Sequence, residues 1–412
     1  MRLLVALLSI VLVAATPQPQ RTVLRFGHVW DGTRLLDNVA VVVEGDRIVS
    51  VAHGQQGLRG DAVDMRGLTA IPGLIDLHTH MTYYWDQKAG VPPLRQPRRR
   101  PGVTVFLAQA NAAHTLRAGV TTVRDLGASG ETDFAMRDLI AIGAMHGPRM
   151  FVAGQGISAG RGGSPDPDAM RKAAADRIAA GAEWVKVYAS RGSFDSVDTT
   201  QTLTFEEMRA IVDTAHAAGR KVAIHSYGAS GVKDAVRAGA DSIEHGIDLD
   251  DDTFAEMVRR GTVWVPTIDH NRYYVDARDE YGFKGEAIQP LQDYIAKNLD
   301  ATRRAFKAGV KIGMGSDAVF SMFGQNTREL EWMVKAGMTP AQALVTATTT
   351  GAELLDQKDR LGRIAPGFTA DIVAIEGRPL DDIGAVIRGV RWVMKDGRVE
   401  VQTSTYVPRA GR

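Results

Sequence analysis

Cysteine is missing from this sequence of 412 residues. Its absence excludes disulfides, thiolate zinc sites and cysteine nucleophiles, so any metal must be held by histidine, aspartate, glutamate or a modified residue. An excess of charge of one sign is missing too, because 49 basic and 48 acidic residues give a net charge of +1. This balance gives no indication of a nucleic-acid or membrane-surface partner, and we expect neither.

Residues 3–15 (LLVALLSIVLVAA) form a short apolar run that follows a single arginine. The run is too short to span a bilayer comfortably, and the small residues at its end offer a cleavage site. We predict a signal peptide over residues 1–15, no stable membrane insertion after its cleavage, and a secreted or periplasmic protein. An uncleaved anchor is the alternative.

Both ends of the remaining chain are rich in β-strand signals. Alternating apolar residues broken by Gly-Asp and Asp-Gly turns occupy residues 22–70, and the same texture returns near the C-terminus with a hairpin signal at Asp396-Gly397. We predict that residues 16–70 and 361–412 pair into one small β-sandwich domain made from both termini.

The middle of the chain repeats one sequence pattern, the βα phrase, in which a helical run ends in glycine and is followed by a short apolar strand. Helices alternating with continuous apolar strands are typical of parallel βα units, and the glycine suits a helix end that requires positive φ. With a strand from Ile71 and one at residues 150–153, eight units result, which predicts an α/β protein with a (β/α)8 TIM barrel over residues 71–360. An open doubly wound sheet is the alternative, although no Gly-x-Gly-x-x-Gly follows a first strand. The six glycines are Gly119, Gly181, Gly219, Gly239, Gly261 and Gly309.

The stretch Ile71–His80 (IPGLIDLHTH) reads as the first buried strand of this barrel. Residues i and i+2 of a strand point to the same side, so His78 and His80 would present two imidazoles in one direction. Two neutral imidazoles can chelate a divalent metal, although a lone His-x-His is weak support for a metal site.

Further metal-binding side chains fall at the ends of later predicted strands, where a barrel places its active site. His225, His245 and Asp317 end strands five, six and eight, and Lys186 lies inside the apolar strand four. A buried, deprotonated lysine can react with carbon dioxide to form a carbamate, which would bridge two metals. Four imidazoles, a carboxylate and this bridge would hold two divalent ions, for which zinc is the default.

These motifs together resemble the amidohydrolase superfamily, in the branch of imidazolonepropionase-like proteins and secreted or membrane-associated metallodipeptidases such as Xaa-Pro dipeptidases. The resemblance covers nearly the whole chain after the apolar N-terminal run. It implies a (β/α)8 barrel with a β-sandwich from both termini. The matching stretches are IPGLIDLHTHM, AGVTTVRDLG, GAEWVKVYAS, KVAIHSYG, DSIEHGIDLD, GSDA and the tail from GMTPAQALV to RPLDDI.

The resemblance also implies roles for the ligands. His78, His80 and Asp317 would hold one metal, His225 and His245 the other, with carboxylated Lys186 between them. A bridging hydroxide would attack a carbonyl carbon, and Asp317 would shuttle its proton to the leaving nitrogen. Imidazolonepropionase is mononuclear and lacks the strand-four lysine, so Lys186 favours the binuclear, peptidase-like side.

Three residues are candidates for substrate binding. Tyr227 stands two residues after His225, where relatives often have a second histidine, and could polarise the substrate carbonyl or bind its carboxylate. His270 follows strand seven and could reach the substrate, and Arg161 in a glycine-rich loop could pair with a carboxylate. An aromatic wall residue and two solvated loop residues are the alternatives.

We therefore predict an amide hydrolase for a small substrate, most simply a dipeptidase that cleaves Xaa-Pro or similar C-terminal amides. Hydrolysis of N-acyl or aromatic-acyl amino acids, ochratoxin-like compounds included, is the second hypothesis, and a cyclic amidase or lactonase the third. A non-catalytic binding protein is a remote fourth. The sequence leaves the oligomeric state open, a homo-oligomer included.

Overall fold

Strands and helices alternate along most of the chain in the computed structural model. It describes residues 21–54, 61–88, 91–159, 166–192, 196–282, 285–403 and 409–410. The predicted signal peptide and Arg161 lie outside these residues. The strands are β1 (Arg21–Trp30), β2 (Leu35–Glu44), β3 (Arg47–His53), β4 (Asp61–Pro72), β5 (Leu74–Thr79), β6 (Val120–Asp125), β7 (Arg149–Val152), β8 (Ile157–Ser158), β9 (Trp184–Tyr188), β10 (Lys221–His225), β11 (Ser242–Glu244), β12 (Val263–Val265), β13 (Ile372–Ile375), β14 (Val390–Lys395), β15 (Arg398–Gln402) and β16 (Arg409–Ala410).

The helices follow most of the central strands, as the βα phrase predicts. No helix among the described residues is both long and apolar enough to cross a membrane. The helices are α1 (Pro101–Arg117), α2 (Thr132–Ala141), α3 (Pro167–Ala179), α4 (Phe205–Ala217), α5 (Ala229–Ala238), α6 (Asp251–Arg260), α7 (Ile268–Asp276), α8 (Arg278–Tyr281), α9 (Gly285–Ala308), α10 (Glu329–Lys335), α11 (Pro340–Thr346), α12 (Thr349–Leu354) and α13 (Gly384–Arg388).

One large sheet joins strands from both ends of the chain. Its order is β15-β14-β13-β4-β1-β2-β3, with β16 also paired to β4. β4 is parallel to β1 and antiparallel to β13, so it connects the N-terminal and C-terminal strands directly. The large side chains of Phe26, Ile48 and Trp392 are buried in the core beneath this sheet.

The chain passes from this large sheet into the central strands at Gly73. Ile71 and Pro72 still pair with β13, and Gly73 donates its N–H to Asp371 O at 2.8 Å, whereas Leu74 donates to Gly119 O at 3.0 Å. The prediction of a single strand from Ile71 was wrong, because β4 ends at Pro72 and β5 begins at Leu74. A Cβ on residue 73 would lie 2.2 Å from Thr121 Oγ1, so only glycine fits this crossing.

The central strands form two parallel sheets, β12-β11-β10-β9-β8 and β5-β6-β7. Residues 311–318 do not form a named strand, but their backbone bonds to both sheets. Trp264 N–H donates to Lys311 O at 2.9 Å, and Leu77 N–H donates to Met314 O at 2.9 Å. The chain therefore has an α/β fold in which the parallel strands of the centre alternate with helices.

The six glycines predicted to end helices all have positive φ, between 67° and 104°. Gly239 and Gly261 are left-handed caps that directly follow α5 and α6. At the other end of the helices, α4 begins with a capping box in which Thr204 and Glu207 bond each other's backbone N–H groups. These local signals fix the helix ends, and the strand ends that hold the candidate site follow from them.

Candidate metal centre

The six predicted metal ligands come together at the carboxyl ends of the parallel strands. All six are buried and line one cavity of about 230 Å³. One lies on β5 and a second directly after it, one lies within β9, one ends β10, one follows β11, and the last lies among residues 311–318, which bond to β12 and β5. In that order they are His78, His80, Lys186, His225, His245 and Asp317.

Asp317 lies at the centre of this cluster. Its Oδ1 is 3.1 Å from His80 Nε2 and 3.5 Å from His78 Nε2. On its other side, Oδ2 is 3.2 Å from His270 Nε2 and 3.9 Å from His245 Nε2. The ligand atoms of His78, His80 and Asp317 all lie within 4.8 Å of one another, a spacing that suits one shared cation.

Two buried polar atoms in the cluster lack a hydrogen-bond partner among the described residues. They are His78 Nε2 and Lys186 Nζ. Burial lowers the pKa of Lys186 to about 8, because a charged amine loses its hydration there. Unpaired buried nitrogen atoms are costly, so this donor set fits divalent metal ions, and the lysine fits a carbamate.

The outer nitrogen of most of these imidazoles is held by the surrounding protein. His80 Nδ1 donates to Gly127 O at 2.9 Å, and His225 Nε2 donates to Gly192 O at 2.8 Å. His245 Nδ1 lies 2.6 Å from Thr267 Oγ1. Each contact fixes the ring so that the opposite nitrogen faces the cavity, as is typical of metal-binding histidines.

His78 is held by a buried charged pair that the sequence did not predict. Glu244 Oε2 accepts from His78 Nδ1 at 2.9 Å, and Glu244 Oε1 accepts from Arg124 at 2.7 Å. Arg124 also donates to Leu77 O at 2.6 Å and Ser242 Oγ at 2.8 Å, and its guanidinium lies 4.4 Å from the Trp184 ring centroid. This pair orients the imidazole of His78, the first of the predicted ligands. The neighbouring letters Glu-His in DSIEHG were the only sequence signal for it.

Burial keeps several of the imidazoles neutral. It lowers the pKa of His78 to about 4 and that of His225 to about 3, with the nearby Lys186 charge as the second cause in both. The pKa of His245 is also lowered by burial, and then by His225. Burial opposes ionisation of Asp317, but the surrounding histidines outweigh it and hold the pKa of Asp317 well below its usual range. Neutral imidazoles beside an ionised carboxylate are the ligand forms that a metal requires.

Two ligands occupy strained backbone positions. His245 has φ of 68° and Asp317 has φ of 51°, both in the left-handed region that costs a non-glycine residue about 1–2 kcal/mol. Thr267, the partner of His245, has φ of 51°. Strain of this kind concentrates at functional sites, where the surrounding fold enforces it.

Two of the three predicted substrate-binding residues line the cavity. The Tyr227 ring stacks on His245 with centroids 5.0 Å apart, and His270 lies against Asp317. Arg161 lies outside the described residues. Their roles, like those of the six ligands, remain predictions.

Further aromatic side chains line the cavity. Tyr83 lies three residues after His80, and its ring stacks on His80 with centroids 4.8 Å apart. Tyr188, Tyr274 and Phe320 were not predicted, because a tyrosine at a strand end, a tyrosine on α7 and a phenylalanine in a short 3-10 turn carry no local signal. The cavity is therefore lined by aromatic side chains around the polar side chains of the predicted ligands.

A cluster of imidazoles and one carboxylate at the ends of parallel strands defines a class, the metal-dependent hydrolases. Residues 69–399 match the model of the amidohydrolase family, and the chain belongs to that family. The superfamily resemblance predicted from the motifs is confirmed.

Several relatives show where the chain stands within the family. It is 28% identical to ochratoxinase of Aspergillus niger, over 90% of this chain and 84% of that protein. It is 26% identical to imidazolonepropionase of Streptomyces griseus, over 83% of this chain and 86% of the relative. It also resembles the solved structure of a Xaa-Pro dipeptidase with methionine bound in its active site, with TM-score 0.84 and 32% identity, over 92% and 99% of the two chains.

Proposed function

We propose that this protein is a binuclear metal-dependent dipeptidase that cleaves Xaa-Pro-like or other small C-terminal amides. The observation that carries the proposal is Lys186, a buried amine without a hydrogen-bond partner among the described residues, beside histidines and Asp317 that line the same cavity. The likeness to a Xaa-Pro dipeptidase at 32% identity supports the substrate class.

His78, His80 and Asp317 would hold one ion and His225 and His245 the other, with the Lys186 carbamate between them. Zinc is the default ion for such nitrogen and oxygen ligands. The backbone bonds of residues 311–318 to Trp264 and Leu77 support a further proposal, that the two parallel sheets close into a (β/α)8 barrel around this floor.

The protein's own residues would orient the substrate and move one proton. Bound divalent ions would supply a hydroxide nucleophile at neutral pH and would polarise the substrate carbonyl. Asp317 is ionised and central, so it can accept a proton from the attacking water and deliver it to the leaving nitrogen. Tyr227, on the cavity wall beside His245, would bind the substrate carbonyl oxygen or carboxylate.

A second candidate is hydrolysis of aromatic-acyl amino acids, ochratoxin-like amides included. The relationship to ochratoxinase and the aromatic wall of the cavity favour it. The mechanism is the same for both candidates, and only the acyl group differs. Secretion or periplasmic export, proposed from the N-terminal sequence alone, would place either substrate outside the cytoplasm.

The experiment that tests this function is a parallel measurement of bound metal and amide cleavage. The protein is stripped with a chelator and reloaded separately with Zn²⁺, Mn²⁺ or Co²⁺ in bicarbonate buffer. Metal is counted per chain, and each form is assayed on Xaa-Pro dipeptides, other dipeptides and N-acyl amino acids. Asp317→Asn serves as the variant that should retain substantial metal but lose turnover.

About two metals per chain with cleavage of a dipeptide subset is the expected result. Cleavage restricted to aromatic-acyl amino acids would support the second candidate, an amide hydrolase of such compounds, and would contradict the dipeptidase. A chain that binds no metal and cleaves no amide would contradict both candidates and favour a binding protein.

A further inference from the structure

The mouth of the cavity is formed by three aromatic side chains. Among the described residues that line the cavity, ten are buried and three are half-buried, namely Tyr83, Tyr188 and Phe320. Only a half-buried side chain can face both the cavity and the solvent. Within the described part of the chain, we take these three rings as the mouth of the cavity.

Phe320 is fixed to the rest of this mouth by several contacts. Its ring centroid is 6.0 Å from that of Tyr83 and 6.2 Å from that of Tyr281. Its backbone N–H donates to Tyr83 O at 3.0 Å. Because Tyr83 stacks on His80, the position of the Phe320 ring is set relative to the metal centre.

The backbone at Phe320 is strained. Its φ is 50°, in the left-handed region, where a bulky side chain costs about 1–2 kcal/mol and glycine costs little. Phe320 also begins the short 3-10 turn Phe320–Met322, three residues after the ligand Asp317. A ring kept at such a position points to a task at the site rather than to local stability.

We propose that Phe320 is the specificity-determining residue of this site. Its ring limits the size of the substrate group that the mouth admits, an inference that rests on the proposed amide hydrolase function. The cavity of about 230 Å³ is smaller than the roughly 300–1,000 Å³ of typical ligand sites. Removing the ring would open the space between Tyr83 and Tyr281 to an aromatic group.

The test compares Phe320→Ala and Phe320→Gly with the wild type on two matched substrate pairs. Ala-Pro and Phe-Pro vary the acyl side of the amide, and N-acetyl-Ala and N-acetyl-Phe vary its amine side. Phe320→Gly also relieves the backbone strain, so it provides a second folded variant if the alanine variant is unstable. Phe106→Ala is the matched control, because it removes the same atoms from a side chain that is 67% exposed on α1.

We expect the ratio of kcat/KM for the large over the small substrate to rise about tenfold or more in one pair, a size of effect that pocket contacts commonly produce. The ratio is the readout because an equal loss on the large and the small substrate leaves it unchanged, and Phe106→Ala should keep the wild-type ratios. Ratios equal to the wild-type ratios in both pairs and both variants, with small substrates still cleaved, would overturn the proposal.

Failure of the underlying function gives a different pattern. If the metal-loaded wild type cleaves none of the four amides, the proposed function is wrong. The role of Phe320 is then tested by measuring ligand binding instead of cleavage. Calorimetry with free phenylalanine and alanine should show a gain of about tenfold for phenylalanine relative to alanine in Phe320→Ala, by the same pocket-contact scale. An unchanged preference would overturn the role of Phe320 independently of catalysis.

Discussion

The proposed chemistry depends most on Lys186. It is 1% exposed, and its amine has no hydrogen-bond partner in the described part of the chain. Glu244 and Asp317 favour its charged form, but burial outweighs them and lowers the pKa to about 8. A useful fraction of the amine is therefore neutral near pH 7–8, which is the form that reacts with carbon dioxide.

The first prediction concerns Lys186→Ala. This variant should lose most of its bound metal and its turnover, because the bridging carboxylate is gone. Acetate or propionate should restore part of both, since a free carboxylate can occupy the vacated space. Metal counting and kcat with and without added carboxylate provide the measurement.

Lys395→Ala is the control for that experiment. Lys395 is also buried, at 7% exposure, but lies on β14 in the large sheet and pairs with Asp396 at 3.8 Å. It should keep full metal content. Wild-type turnover in Lys186→Ala without added carboxylate would remove the bridging role.

The second prediction concerns Asp125 at the end of β6. Its Oδ2 accepts from Met81 N–H at 2.5 Å and from Thr79 Oγ1 at 3.1 Å, so its role is to hold the loop after the His-x-His. Burial, and then Asp133, raise its pKa to about 8 from an ordinary value of 3.8. The folded protein thus binds a proton more tightly than the unfolded chain between about pH 4 and 8. The stability associated with Asp125 is fully present below about pH 4 and is lost as the pH rises toward 8.

Asp125→Asn should therefore gain in Tm relative to the wild type as the pH rises from 5 to 8. The asparagine can accept the same bonds but has no proton to lose. Thermal unfolding of the metal-free proteins across this range is the measurement, since bound metal would add its own pH dependence. A Tm difference that shrinks with rising pH would contradict the assigned direction.

Among single residues, the sequence placed the predicted ligands at strand ends, but it did not reveal the residues that hold them in position. His78, His80, His225 and His245 could be found because strand periodicity places them at predicted strand ends. Arg124 and Glu244 lie 120 residues apart and meet only when β6 and β11 enter the core. No local pattern encodes such a contact, and the same holds for Tyr188 and Phe320 at the mouth.

Among the features of the secondary structure, the helix ends were predicted best from the sequence. Each of the six glycines in the βα phrase has positive φ, and Asp396-Gly397 turns β14 into β15 with φ of 49° and 72°. These positions depend on φ alone, which the residue type sets locally. Gly73 could not be recognised in the same way, because its requirement comes from the Thr121 side chain across the core.

The third prediction concerns the C-terminal end of helix α6. Gly261→Ala should destabilise the protein by about 1–2 kcal/mol, because φ of 75° strains alanine. A Cβ there would meet no atom within 4 Å, so the cost arises from the backbone and not from a clash. Urea unfolding of both proteins gives the difference.

Gly102→Ala is the matched control within α1. A Cβ at that position also meets no atom within 4 Å, and Gly102 is not among the positive-φ glycines. Its replacement should be neutral or stabilising by about 0.4–1 kcal/mol, because alanine restricts the unfolded chain. Equal losses in the two variants would show that φ is not the cause.

The whole molecule depends on contacts between its central strands and its large sheet. Arg149 on β7 donates to Asp371 Oδ2 at 2.8 Å, just before β13, and also contacts Asp396 in the β14–β15 turn. The two carboxylates raise the pKa of Arg149 above its usual range despite burial. The cation thus connects the parallel strands with strands from the C-terminal end.

The fourth prediction is that Arg149→Leu destabilises the whole protein. It leaves the buried Asp371 without its cation, and the loss should be about 2–4 kcal/mol, near the range for broken buried pairs. Arg171→Leu, which breaks an exposed pair with Asp168 on α3, should cost less than about 1 kcal/mol. Equal losses in chemical unfolding would contradict a special role for Arg149.

The position of β4 in the large sheet has a consequence for biosynthesis. β4 pairs with β1 on one side and with β13, about 300 residues later, on the other. During vectorial synthesis one edge of β4 stays unpaired until residue 372 emerges, and such an edge is a template for wrong partners. A nascent chain stopped before that residue should be sensitive to proteases along β4 and should require chaperones. The strands from residue 372 onward therefore complete the sheet that β1, β2 and β3 begin.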